Sequence, residues 1–155
     1  MNQITELRKA VGQLLIQDSN DDREKIWMQK HTDDIILQKV IIKMSTRDLH
    51  VLNAIYCGKQ PIPVKNLPQQ LNLSQPTVSR AIKKLADLEV LLRYKTTQNS
   101  KEVMVHLTDK GQKIAHLHVE LEKHINRQAT KLLSNYSKND VDNVIDILQK
   151  IAKYL

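Results

Sequence analysis

The 155-residue chain is short of the residues that mark several protein classes: it has one cysteine, three glycines, four prolines and one tryptophan, and no phenylalanine. A lone cysteine, Cys57, excludes an intrachain disulfide framework. No apolar run is long enough to span a bilayer and no signal-peptide pattern opens the chain, which points to a cytoplasmic protein without a membrane partner. A Gly-rich phosphate loop, a nucleophile elbow and a strong zinc motif are all missing, so an enzyme reading has no catalytic cluster to stand on. Acidic residues are outnumbered 17 to 24 by Lys and Arg, for a net charge of +7. Neither an internal repeat nor a low-complexity tract interrupts the chain, and its length suffices for one domain with a real core.

The charge is concentrated. Between Ile62 and Lys113 nine Lys/Arg face four Asp/Glu, an excess of five. A basic balance fits nucleic acid, an anionic membrane or an acidic partner, and its location selects among them. The excess surrounds a segment, Val64 to Leu85, that reads as helix, tight turn, helix. Leu67 and Leu71 share a helix face. Asn72, which tolerates a left-handed backbone, sits where the chain reverses. Ser74 is a good N-cap, and Pro76 falls in the first turn, where a missing N–H costs little. Val78, Ile82 and Leu85 recur at helical spacing. Gln75, Thr77, Ser79, Arg80, Lys83 and Lys84 are left outside that stripe. Gln and Arg can bond base edges in pairs, Thr can touch a thymine methyl or a phosphate, and Lys neutralises phosphates. An ordinary helix pair with a solvated face is the bland alternative, but cap, turn and face signals agree against it. Pro68 is tolerated only near a helix start, so the first helix of the motif is expected to be short, with Asn66 as its cap.

Val90–Lys95 and Glu102–Leu107 are apolar-rich runs separated by the polar Thr96–Lys101, and Val103, Val105 and Leu107 alternate with Met104 and His106. That is a β-hairpin, a wing. Thr108 then caps a long helix over about Asp109–Leu133, Ser134–Ser137 form a loop, and Val141 to Leu155 make a last amphipathic helix. On the N-terminal side, Ile4, Leu7, Val11, Leu14 and Leu15 form a helical stripe. Helix is interrupted around Asp18–Asp22 and resumes from Arg23 to Lys30. Residues 32–44 fit either strand or buried helix. Ser45–Asp48 is a capping box with Asp in place of Glu, opening a helix that Gly58 ends. Cys57, at the end of an apolar helix, is expected to be buried. The fold expected is mainly α with a small β-wing, a winged helix-turn-helix flanked by terminal helices whose apolar faces need a second copy to cover them.

In element order and in Leu67…Leu71-Asn-Leu-Ser74, Thr77-Val-Ser-Arg80, Leu85, Arg93 and Val103…Leu107-Thr108…Gly111, the whole chain resembles the MarR family of transcription factors. The resemblance implies a homodimer, usually a repressor, on pseudo-palindromic double-stranded operators. It divides the chain into a DNA-binding domain over 45–111 and dimerisation helices over 1–44 and 112–155. The DNA-facing set is then Ser74, Gln75, Thr77, Ser79, Arg80, Lys83 and Lys84 on the recognition helix, with Arg93, Asn99 and Lys101 on the wing. Three departures stand out. The wing tip, usually an Asp followed by two Arg, is Asn99-Ser-Lys101; Glu89 replaces a helix-ending Gly; Pro68 replaces a small residue.

The family also responds to small aromatic ligands, oxidants or metals. Trp27, Tyr56 and Tyr94 are candidates for an aromatic pocket, although single aromatics are more often core. A zinc-responsive alternative would draw on Asp34, His50, His118 and Glu122, with His118 and Glu122 one helical turn apart. His116, Glu120 and His124 repeat that spacing on another face, so the pattern is not selective. A winged-helix protein-interaction module with weak DNA binding is the remaining alternative, suited by the reduced wing.

Overall fold

The computed structural model describes residues 2–20, 22–98 and 100–153, without the side chains of residues 15–20. Asn99, Leu155 and the side chain of Leu15, all named above, lie outside the described residues. The chain divides into two compact units, residues 1–118 and 119–155.

In the first unit α1 (Gln3–Asn20) and α2 (Arg23–Lys30) lie where the sequence suggests. The ambiguous segment is helical, α3 (Ile35–Ile41), because the Asp34 carboxylate accepts from the Ile36 and Leu37 N–H groups and so supplies a cap. Two glutamines fasten α2 to α3: Gln29 Nε2 donates to the Gln38 carbonyl at 3.1 Å, and Gln38 Nε2 returns a bond to the Gln29 carbonyl at 3.2 Å. The Ser45–Asp48 capping box is formed in both directions and opens α4 (Thr46–Cys57), which Gly58 ends. Leu49, Val51, Leu52 and Ile55 of α4 are fully buried, and the helix packs against the helix-turn-helix and the wing.

That motif enters by a route slightly different from the one expected. A 3-10 turn, Val64–Asn66, leads directly into α5 (Leu67–Leu71). Asn66 already has helical backbone angles and makes no side-chain cap bond, so the turn before it, rather than an Asn cap, starts the helix. Pro68 falls in the first turn, as its missing N–H requires. Asn72 takes the left-handed conformation, φ 53°. Its N–H bonds the Gln69 carbonyl at 3.3 Å, and the Leu73 N–H bonds that of Pro68 at 3.0 Å, a Schellman ending. Ser74 then caps α6 (Gln75–Asp87) by accepting from the Thr77 N–H, and Val78, Ala81, Ile82 and Leu85 form its buried stripe.

The wing is β2 (Leu91–Lys95) antiparallel to β3 (Val103–Leu107), in register Leu91↔Leu107 to Lys95↔Val103. A strand not anticipated, β1 (Ile62–Pro63), pairs with the other edge of β3, giving the order β1-β3-β2. Pro63 is tolerated because β1 is an edge strand.

Helix α6 ends on a second Schellman motif, with the Glu89 N–H on the Ala86 carbonyl at 2.9 Å and the Val90 N–H on that of Leu85 at 3.0 Å. Glu89 itself is left-handed, φ 59°. Thr108 caps α7 (Asp109–Leu133): its Oγ1 accepts from the Gly111 N–H at 3.1 Å and donates to the Glu89 carbonyl at 2.8 Å. Gly111 lies so close to Val90 that a Cβ there would fall on the Val90 carbonyl oxygen.

In the second unit the later part of α7 is followed by α8 (Lys138–Ile151), opened by a Ser137–Asp140 capping box. The Ser137 hydroxyl and then its backbone N–H hold the Asp140 carboxyl below its ordinary pKa. The cap is therefore complete at neutral pH and weakens as pH falls through that lowered value. Val144, Ile145, Ile147 and Leu148 of α8 remain exposed, as do Leu132, Leu133 and Tyr136. Among the described residues, no helix is long and apolar enough to cross a membrane.

Gly111→Ala is expected to cost about 3 kcal/mol, since the obstacle is backbone and not a movable side chain. Glu89→Gly should stabilise by about 1 kcal/mol through relief of the left-handed Cβ penalty. Urea unfolding midpoints measure both; an unchanged midpoint for Gly111→Ala would show that the junction can open without cost.

Candidate nucleic-acid interface

The buried stripe of α6 leaves the opposite face to solvent. Gln75, Ser79, Arg80, Lys83 and Lys84 are exposed and Thr77 is half-buried. The hydroxyls of Ser74 and Thr77 lie 2.7 Å apart, so the cap and the first polar residue of the face are held together. The helix is anchored by apolar contacts to α4 and α5, which makes it a firm platform for side chains that must meet a partner at fixed spacing. Ser74 to Lys84 thus share one accessible element, as their spacing implies.

One of these side chains is engaged inside the protein. Lys84 Nζ bonds Asp48 Oδ2, the same oxygen that accepts from the Ser45 N–H at 2.7 Å. Asp48 is only 4% exposed, which is unusual for a carboxylate and requires a partner. Next to this pair a small cavity of about 160 Å³ is lined by Ser45, Arg47, Asp48, Thr77, Arg80, Ala81 and Lys84. Sequence reasoning gives Ser45–Asp48 a role in the cap alone. It misses Arg47, at the second helical position of α4, because nothing in a linear pattern links that residue to others more than thirty positions away.

On the wing, Arg93 and Lys101 are exposed, and Arg93 lies opposite Val105 on β3. Tyr94 packs edge-on against His106 with ring centroids 5.6 Å apart. Lys65, from the turn before α5, pairs with Glu102. The hairpin is thus tied to the helix-turn-helix near its tip.

The effector and metal candidates are distributed differently. An open cleft of about 550 Å³ in the first unit is lined by His31, Thr32, Asp34, Leu37, Tyr56, Gln112, Lys113, His116 and Leu117. Of the three aromatics considered, Tyr56 lines the cleft. Trp27 stacks on His31 at 3.7 Å, while Tyr94 belongs to the wing. His50 and His118 meet edge-on with ring centroids 6.3 Å apart, His118 being buried. Asp34 is committed to capping α3, and Glu122 belongs to the other unit. Among the described residues, no three His, Cys, Asp or Glu side chains gather to hold a metal. Cys57 corrects the expectation of burial: it is exposed, its thiol directed to Asn53 Oδ1 at 3.6 Å, because the last turn of α4 has rotated it off the apolar stripe.

Comparison with known proteins fits this geometry. Residues 44–111 match the family model described as a winged helix DNA-binding domain. The chain is 26% identical over 140 residues to the HTH-type transcriptional regulator PchR of Bacillus subtilis, a span of 90% of this chain and 79% of that one. Its fold is that of the adhesin competence repressor AdcR of Streptococcus pyogenes, with TM-score 0.72, 20% identity and coverage of 99% and 98% of the two chains. It is equally that of S. aureus MepR in a complex with DNA, with TM-score 0.64, 18% identity and full coverage of both chains. The chain thus carries a winged helix DNA-binding domain over residues 44–111, its named relative is an HTH-type transcriptional regulator, and its fold is shared with AdcR and MepR.

Proposed function

We propose that the protein is a cytoplasmic homodimeric repressor that binds a pseudo-palindromic double-stranded operator and is released by a small organic effector. The observation that carries this reading is the pairing of two uncovered surfaces of opposite character. The exposed face of α6 is polar and cationic. The exposed face of α8 carries Val144, Ile145, Ile147 and Leu148, each 42–54% accessible in the single chain. A second copy would cover the apolar face, and two α6 helices could then meet successive major grooves about 34 Å apart. Gln75, Thr77, Ser79 and Arg80 would read base edges, with Ser74 and Lys83 on the backbone. Arg93, Asn99 and Lys101 would supply the wing contact. MepR, a protein of the same fold seen with DNA, supports this partner.

The 550 Å³ cleft supports an organic effector, since its size suits a small molecule and Tyr56, His31, Lys113 and His116 offer an aromatic face and hydrogen bonds. The metal-responsive alternative has the neighbouring His50 and His118 in its favour but wants a third donor. The interaction-module alternative leaves the cationic α6 face without a purpose.

Arg80→Ala should weaken operator binding and relax sequence preference, the loss being about 1–3 kcal/mol on the preferred site. Lys101→Ala should cost affinity about equally on all sequences and flatten the salt dependence by about one phosphate's worth. Shift assays on a selected operator and on random duplex, each with a salt titration, separate the two; equal loss of preference in both variants would refute this division of labour. The paired change Ile145→Asp/Leu148→Asp should convert the protein to a monomer by light scattering and lower operator affinity by roughly a hundredfold or more. An intact dimer in that variant would place the interface elsewhere.

A further inference from the structure

Three cations, Arg47, Arg80 and Lys84, line one 160 Å³ cavity between the first turn of α4 and the flank of α6, and the structure divides them. Lys84 is bonded to the buried Asp48, which simultaneously accepts the Ser45 N–H of the α4 cap. Releasing Lys84 to a phosphate would leave a carboxylate that is 4% exposed with one partner fewer, an unfavourable exchange. Arg80 is exposed on the solvent face of α6. Arg47 reaches the cavity from α4, is exposed, and among the described residues no carboxylate other than Asp48 lines the space it borders. The lining therefore carries three positive charges against one negative, and its rim also holds the hydroxyls of Ser45 and Thr77.

We propose that this cavity is the seat of one backbone phosphate of the bound DNA, held by Arg47 from α4, and that Lys84 is a positioning residue that fixes α6 on α4 through Asp48 without touching DNA. The inference rests on the reading of α6 as the recognition helix, and it separates the three cations by what each one meets. Arg80 meets the bases, Arg47 meets the phosphate, and Lys84 meets the protein itself. A planar guanidinium suits this seat because two of its N–H groups can bond one phosphate at once.

The test is a salt titration of binding to a random-sequence duplex pool and to a selected operator, with thermal unfolding of each variant alongside. Arg47→Ala should unfold like the parent, lose about tenfold in affinity on both DNAs at low salt, and reduce the slope of log K against log salt by about 0.9. Lys84→Met should lower the unfolding temperature and the affinity but leave the salt slope unchanged, and Lys84→Arg should restore both. Should Lys84→Met fail to fold, the double variant Asp48→Asn/Lys84→Met removes both charges together and should keep the parental slope. A slope lowered by about 0.9 in Lys84→Met or in the double variant, with Arg47→Ala unchanged, would overturn the assignment. Failure of the parent protein itself to bind duplex would instead refute the recognition-helix reading, so the two failures are distinct.

Discussion

The close approach of two backbones at Val90 and Gly111 is the constraint on which the DNA-binding unit depends. Within a few residues the chain must end α6, begin β2, and later return to begin α7. The Val90 carbonyl accepts the Thr108 N–H at 3.1 Å, while Gly111 lies against the same carbonyl group. Thr108 adds a hydroxyl bond to the Glu89 carbonyl. Helix exit, strand start and helix start are thus joined chiefly through main-chain atoms, which have no rotamers to lose, with the Thr108 hydroxyl as the one side-chain link described. The angle between α6 and the wing follows from this junction. So does the register of the hairpin, since Leu91 must be placed opposite Leu107 immediately beside it.

A second linkage works from the other flank of α6. Asp48 closes the α4 capping box and takes the Lys84 ammonium, so a local helix-start device becomes a tertiary one. The pair is half-screened on the Lys side, with 45% of that side chain accessible, and its value lies less in Coulomb energy than in the cost of leaving the buried carboxylate without its partner. This contact and the Val90 junction together fix the C-terminal half of α6, and its polar face is presented by a helix that cannot easily roll.

Most of this was legible in the sequence where a signal was local. The Asn72 turn, the Ser74 cap, the Ser45–Asp48 box and the Asp109–Leu133 helix all follow from residue types within a few positions of one another. The α3 segment was not, because Ile35-Ile-Leu37 and Val40-Ile-Ile42 satisfy both periods, and Ile35, Ile36 and Ile42 are in fact exposed. What decided it was the Asp34 cap and the Gln29–Gln38 exchange, a bond pair between two helices with no linear signature. β1 escaped notice because two residues, one of them proline, carry no strand pattern; it exists only because β3 offers an edge. Of the candidate site, the α6 face was readable from periodicity. The withdrawal of Lys84 to Asp48 and the arrival of Arg47 beside it are tertiary facts.

Glu89 shows how far the global fold can overrule a local preference. Its left-handed backbone is disfavoured by about 1–2 kcal/mol for a residue with a Cβ. Its carboxylate also sits just past the C-terminus of α6, the negative end of the helix dipole. The Lys110 ammonium at 3.0 Å offsets part of this, but Glu89 is 80% accessible on its side chain, and an ion pair so exposed recovers little. Asn72, in the same conformation at the end of α5, carries a smaller penalty because its side chain suits that region. The strain at Glu89 persists because its N–H, its carbonyl and the next N–H are each bonded to a different partner, in Ala86, Thr108 and Leu85. Straightening the residue would break all three at once. The end of α6 is therefore set by what it joins, and a residue poorly suited to the position is tolerated because the junction leaves the backbone no other course.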